Sequence, residues 1–206
     1  MKTKHSREYG PFAPKRVKLS YQKPNYKRVK CSINGIPVEK MVDVRASLTD
    51  FLRNDFGLTS VKKGCEVGEC GACSVLIDGE SVDSCLYLAI WAEGKDIWTT
   101  EGLVADDGSI SIIQQAFIDQ AAVQCGFCTP GFIVTATEIV ARGKRYERAE
   151  LRRLLAGNMC RCTGYENILR AVEEAIEIEI KGRAEDYETD LAVDPDNTGH
   201  DPMIKD

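Results

Sequence analysis

The sequence predicts an α+β fold: a sheet-forming half, then a bundle of four short helices, with an extended arm at each end. Three observations carry this. Two hairpin turn signals, Asn34-Gly35 and Asp78-Gly79, stand between residues of alternating type in the first half. Past Gly102 the hydrophobic period becomes that of helices. Charge is also segregated: residues 1–30 carry ten Lys or Arg against one acid, Glu8, and residues 185–206 carry eight acids against one base, Lys205.

Composition bounds the remaining choices. With 206 residues and 43 % hydrophobic content, the chain has enough apolar side chains for one or two cores. No stretch of about 18 continuous apolar residues exists, and the N-terminus lacks the apolar run of a secretory signal, so a cytoplasmic protein is expected. Thiols stay reduced there, which argues against disulfides. The nine cysteines are an odd number, and Cys31 is expected to be packed rather than used. A net charge of -5 and the lack of aromatics interleaved in a basic groove count against nucleic acid as a partner. Both arms are instead expected to lie along partner subunits and to order there.

The elements follow in order. Val29 to Asn34 and Pro37 to Val42 form a first hairpin across Asn34-Gly35. Ser47 caps a short helix through Phe51, Leu52 and Arg53 that ends near Gly57. A cysteine loop comes next, and then Ser74 to Ile77 and Glu80 to Asp83 form a second hairpin whose far end delivers Cys85. In the helical half, Ser111 with Gln114 reads as a capping box, and Ile112, Ile113, Ala116, Phe117 and Ala121 share a face. Thr129-Pro130 reads as the N-cap and first position of a helix to about Arg142. A third helix spans Arg148 to Ala156. A fourth starts at a second capping box, Thr163 with Glu166, and turns Ile168, Leu169, Val172, Ala175 and Ile176 inward. Met41, Phe51, Trp91 and Phe117 are expected in the core. The boundaries that result are a basic arm over 1–28, a first domain over 29–104, a helical domain over 105–182 and an acidic extended tail over 183–206.

The chemistry lies in two cysteine quartets. In GCEVGECGAC and DSC, Cys65, Cys70 and Cys73 stand at C-x4-C-x2-C with eleven residues between Cys73 and Cys85, the plant-type spacing for a [2Fe-2S] cluster. Zinc sites favour two short pairs across a longer loop, which fits poorly. Gly64, Gly68 and Gly71 let backbone N–H groups converge on sulfur, as an anionic cluster requires. The second quartet is Cys125 and Cys128 in QCGFCTPG, then Cys160 and Cys162 in GNMCRCTGY. Its spacing alone also fits a four-thiolate zinc site. Both of its pairs precede expected helix starts, where free N–H groups favour thiolates.

The succession GCEVGECGAC, DSC, QCGFCTPG and GNMCRCTGY resembles the two-cluster iron-sulfur subunit of the molybdenum hydroxylases, the xanthine dehydrogenase and aldehyde oxidoreductase family, over about residues 29 to 180. The stretch DSCLYLAIWAEGK is similar to bacterial xanthine dehydrogenase small subunits. The resemblance implies a β-grasp, ferredoxin-like first domain and a four-helix second domain, each with one [2Fe-2S] cluster, so that all eight cysteines are ligands. It implies partners as well: a large subunit with molybdopterin and a medium subunit with FAD, in a dimer of heterotrimers. Electrons would pass from molybdenum to the Cys125, Cys128, Cys160, Cys162 cluster, then to the Cys65, Cys70, Cys73, Cys85 cluster and on to FAD. By the same resemblance Gln124 hydrogen-bonds the pterin and Cys162 touches it.

No catalytic residue is expected on this chain. Its two histidines, His5 and His200, lie in the arms, and no G-x-G-x-x-G turn follows a strand. The expected role is single-electron transfer within an oxidoreductase complex, with purine or xanthine as the substrate class and aldehydes, N-heterocycles or carbon monoxide as alternatives. Other classes are a stand-alone ferredoxin-type carrier and a structural zinc protein.

Overall fold

The structure, a computed structural model, describes residues 25–105 and 107–192, with side chains through 184. Among these residues five strands and five α-helices make a mixed α/β architecture in which the strands precede the longer helices. The first hairpin is longer than the sequence suggests. Strand β1 (Tyr26–Ile33) pairs antiparallel with β2 (Ile36–Asp43), so Tyr26, Lys27 and Arg28 belong to the sheet and not to an arm. Asn34 and Gly35 turn between them at φ of 51° and 77°, the positive pair that a two-residue hairpin requires. The second hairpin, β3 (Ser74–Ile77) and β4 (Glu80–Asp83), has the expected bounds.

A strand absent from the sequence reading joins the two hairpins. β5 (Asp96–Trp98) lies parallel to β1 and antiparallel to β3, giving the order β2-β1-β5-β3-β4. Three residues are too few to show a period, and Ile97 alone is buried. The Asn34 side chain fixes the end of β5 by accepting from the Thr99 N–H at 2.8 Å.

Ser47 caps α1 (Leu48–Asp50) by accepting from the Asp50 N–H at 3.1 Å, and the coil continues as a π-turn over Phe51–Asp55. Leu48, Phe51 and Leu52 are buried with Val29, Ile33, Val75 and Ile97, which makes one core on a single face of the sheet. Arg53 leaves that core to donate to the carbonyls of Thr59 at 3.2 Å and Val61 at 2.8 Å, so it anchors the entry to the cysteine loop.

Two residues expected in this core lie outside it. Met41 is 53 % exposed, because β2 is an edge strand that buries only Val42. Trp91 is also 53 % exposed. The chain there makes a 3-10 turn over Ala89–Ala92 whose three-residue period buries both alanines and turns the indole outward, edge-on to Tyr87.

The helical half comprises α2 (Ile112–Asp119), α3 (Thr129–Ala141), α4 (Arg148–Leu154) and α5 (Glu166–Ala192). The Ser111–Gln114 capping box is present in both directions, and Ile113, Ala116 and Phe117 face inward, whereas Ile112 and Ala121 are exposed. Ile168, Leu169, Val172, Ala175 and Ile176 of α5 are all buried with Phe117, Phe132 and Leu151. In α3 the N-cap is Cys128, one residue before the expected Thr129. The Thr163–Glu166 box does not form. The Thr163 hydroxyl is directed at Cys160 Sγ, 3.1 Å away, and α5 begins only at Glu166.

The acidic tail is not extended from residue 183, because α5 runs on to Ala192. The segment holds good helix formers and no proline before Pro195, and Gly182 costs only about 1 kcal/mol in a helix. Arg183 adds an ion pair to Glu179, four residues back, at 2.7 Å. Residues 1–24 of the basic arm and 193–206 of the tail lie outside the described residues. Among the described residues, no helix is long and apolar enough to cross a membrane.

Candidate metal centres

The first quartet is framed by the sheet. The loop leaves the π-turn, closes on itself through the Lys62 N–H to Ala72 carbonyl bond at 3.0 Å, and enters β3 at Ser74. Within it the Val67 and Glu69 N–H groups point at Cys65 Sγ, at 3.4 and 3.3 Å. Those two donors, with Cys70 beside them, bring the Cys65 thiol down to about 7. Cys73 is buried at the foot of β3, where burial and the adjacent Cys85 push its thiol up to about 12. Cys85 reaches it because Ser84, beyond β4, bonds the Cys73 carbonyl through both its N–H at 3.4 Å and its hydroxyl at 2.7 Å. Gly64 completes the cradle, since a Cβ there would lie 2.8 Å from Cys70 Sγ.

The second quartet is held between helix ends. Cys125 and Cys128 close the loop from α2 to α3, and Cys160 and Cys162 sit on the turn before α5. Cys162 Sγ lies 3.6 Å from Cys125 Sγ. Burial raises the Cys128 thiol to about 12, and Cys160 alongside it adds to the rise. Although burial opposes it, the Thr163 hydroxyl and N–H keep the Cys160 thiol below its usual range. The Phe127 N–H lowers Cys125, and contact with Cys125 raises Cys162. Cys125 and Cys162 are exposed, and Gln124 is exposed next to them in the chain.

Within each expected quartet the thiols come together in pairs, Cys65 with Cys70, Cys73 with Cys85, Cys125 with Cys162 and Cys128 with Cys160, and all nine cysteines are free of disulfides. Cys31 belongs to neither. It is buried on β1, where desolvation pushes it up to about 11, the behaviour of a packed thiol. Four thiols with backbone N–H groups directed at sulfur suit an iron-sulfide core, whose bridging sulfides and ligands carry negative charge.

Sequence reasoning missed how closely the two groups abut. The Met159 N–H donates to the Cys70 carbonyl at 3.0 Å, so the residue before Cys160 is bonded to a cysteine of the first quartet. Asn158, 4 % exposed, donates through Nδ2 to the Gly71 carbonyl at 3.0 Å and to Ser74 Oγ at 3.4 Å. Asn158 was visible in GNMCRCTGY, but nothing in its spacing says that it faces the other loop.

Two family models match the chain. A 2Fe-2S iron-sulfur cluster binding domain covers residues 31–97, and a [2Fe-2S] binding domain covers residues 99–173. The chain is 53 % identical over 146 residues to the xanthine dehydrogenase iron-sulfur-binding subunit of Escherichia coli O157:H7, a match covering 70 % of this chain and 91 % of that one. It is 45 % identical over 148 residues to the caffeine dehydrogenase subunit gamma of Pseudomonas sp. (strain CBB1), covering 70 % and 88 %. Among solved structures, quinoline 2-oxidoreductase from Pseudomonas putida 86 superposes with a TM-score of 0.72 at 43 % identity, covering 76 % of this chain and 98 % of that chain.

Proposed function

The chain belongs to the two-cluster [2Fe-2S] iron-sulfur subunits of the molybdenum hydroxylases, and from that membership we propose how its residues serve electron transfer within such an enzyme. Cys65, Cys70, Cys73 and Cys85 hold one [2Fe-2S] cluster, and Cys125, Cys128, Cys160 and Cys162 hold the other. When bound, a cluster of this kind accepts and releases one electron at a time and forms no bond to substrate. The protein does the rest. Val67 and Glu69 direct N–H groups at Cys65, Thr163 directs its hydroxyl and N–H at Cys160, and each sulfur is thereby oriented and its thiolate form favoured. The observation that carries the reading is the occurrence in one chain of eight thiols that pair within two cluster-type spacings, with a hydrogen bond from Met159 to Cys70 between the two loops.

On this reading residues from β1 to 104 form a β-grasp, ferredoxin-like domain and residues 105–182 a four-helix domain. The family matches, which meet between residues 97 and 99, support the division. The second quartet, through its exposed Cys125 and Cys162, faces a large subunit that carries molybdopterin, and the first faces a medium subunit that carries FAD. Gln124, exposed one residue before Cys125, supplies an amide that can donate and accept at the pterin edge, which the exposed Cys162 touches as well. Purine or xanthine is the substrate class of the complex, in keeping with relatives named for xanthine and caffeine.

The assembled complex tests this. Each copy of the chain is expected to hold about four iron and four sulfide and no zinc. Stoichiometric zinc, or iron for a single cluster, would refute the assignment of the second quartet. Gln124→Ala is expected to keep both clusters, because no thiol is lost. It should weaken pterin retention or slow reduction of the nearer cluster, at a cost of about 0.5–1.5 kcal/mol for one hydrogen bond. Stopped-flow reduction by substrate reads this directly. Full pterin content with unchanged reduction would return Gln124 to an ordinary surface residue.

A further inference from the structure

Asn158 lies where the two cysteine loops share a buried polar contact, and its side chain spans them. It leaves α4 through a backbone bond from its N–H to the Leu155 carbonyl at 3.1 Å, and it is followed by Met159 and Cys160. Its Nδ2 bonds the Gly71 carbonyl, one residue beyond Cys70, and Ser74 Oγ, one residue beyond Cys73. The approach is close enough that neither side tolerates a side chain. A Cβ on Gly71 would meet Asn158 Nδ2 and, at 2.5 Å, the Gly157 carbonyl, and a Cβ on Gly131 in α3 would meet the Gly71 carbonyl. Beside this clamp runs the bond from the Met159 N–H to the Cys70 carbonyl. One hydrogen bond and a few covalent bonds therefore separate a cysteine of the first quartet from Cys160 of the second.

We infer that Asn158 is a positioning residue for electron transfer between the two clusters. It touches no thiol in the structure. It sets the separation of the Cys70 loop from the Cys160 loop, and so the length and packing of the path between the clusters. The inference rests on the two-cluster reading above. The Gly71 carbonyl does not depend on Asn158 for satisfaction, because it also accepts from the Ser74 N–H at 3.2 Å and the Ser74 hydroxyl at 2.8 Å. Removing the amide thus loosens the junction without stripping either loop of its own hydrogen bonds.

The test uses the full chain loaded with both clusters, in wild-type form and as Asn158→Ala and Asn158→Asp. Asp keeps the size of the side chain but turns the donor facing the Gly71 carbonyl into an acceptor, so the two variants loosen the junction by different routes. Iron and sulfide are counted first, and the magnetic splitting between the two reduced clusters is then measured by electron paramagnetic resonance. Both variants should hold wild-type iron and sulfide, show a weakened and broadened splitting, and equilibrate electrons between the clusters several-fold more slowly after flash reduction. Full loading with unchanged splitting and rate in both variants overturns the inference. So does loss of iron from one quartet in both, since Asn158 would then support a ligand loop and not the spacing. A wild-type chain with a single cluster overturns this inference together with the two-cluster reading, whereas wild-type loading with unaltered variants overturns only the role of Asn158.

Discussion

Cys70→Ser is expected to halve the iron of the chain, from about four to about two, and to abolish the signal of the ferredoxin-like cluster while leaving the other. A serine hydroxyl is a far poorer ligand than a thiolate, and one missing ligand in four undoes a site whose occupancy is coupled to the order of its loop. The second cluster should survive for a geometric reason. What joins it to Cys70 is the Cys70 carbonyl, which accepts from the Met159 N–H, and a side-chain substitution leaves that carbonyl in place. Iron analysis and the spectrum of the reduced chain check both halves of the expectation. Retention of four iron would remove Cys70 from the ligand set, and loss of all four would mean that the two sites load as one unit.

Gly71→Ala is expected to destabilise the folded chain by about 2–5 kcal/mol. The residue sits at φ +65°, a left-handed conformation that costs an L-residue about 1–2 kcal/mol. The added methyl would also press on Asn158 and on the backbone carbonyl of Gly157, and relieving such overpacking costs about 1–3 kcal/mol more. Backbone cannot rotate aside as a long side chain does, so the strain must open the junction between the loops. Thermal or denaturant unfolding of the loaded chain measures the cost. A change below about 0.5 kcal/mol would show that the contact at Gly71 has slack that the distances do not suggest.

Much of this was legible in the sequence, and where it failed the failures have physical causes. Residues that act through local chemistry read correctly: Asn34-Gly35 and Asp78-Gly79 made hairpins, and Ser47 and Ser111 capped helices. Residues decided by tertiary context did not. Thr163 looked like the cap of a helix boxed with Glu166, but its oxygen accepts from the Tyr165 N–H, its N–H and O–H are directed at Cys160 Sγ, and α5 begins only at Glu166. Trp91 and Met41 looked like core because they are large and apolar, yet a 3-10 turn and an edge strand point them outward. Asn158 was the least legible, since its partners are 87 and 84 residues away in the chain.

The placement of β5 has a consequence for biosynthesis. This strand alone bridges the two hairpins, pairing Ile97 with Ile33 on one side and with Ile77 on the other, yet it is the last strand to be translated. When Cys85, the final cysteine of the first quartet, leaves the ribosome, β5 is still inside it, and the strand that joins the two hairpins into one sheet is missing. Closing that sheet needs contacts between distant parts of the chain, the slow class of folding event. The nascent first quartet therefore passes through a stage as an unframed run of thiols, and its readiness to receive iron is timed by the emergence of Trp98 rather than by that of its final cysteine.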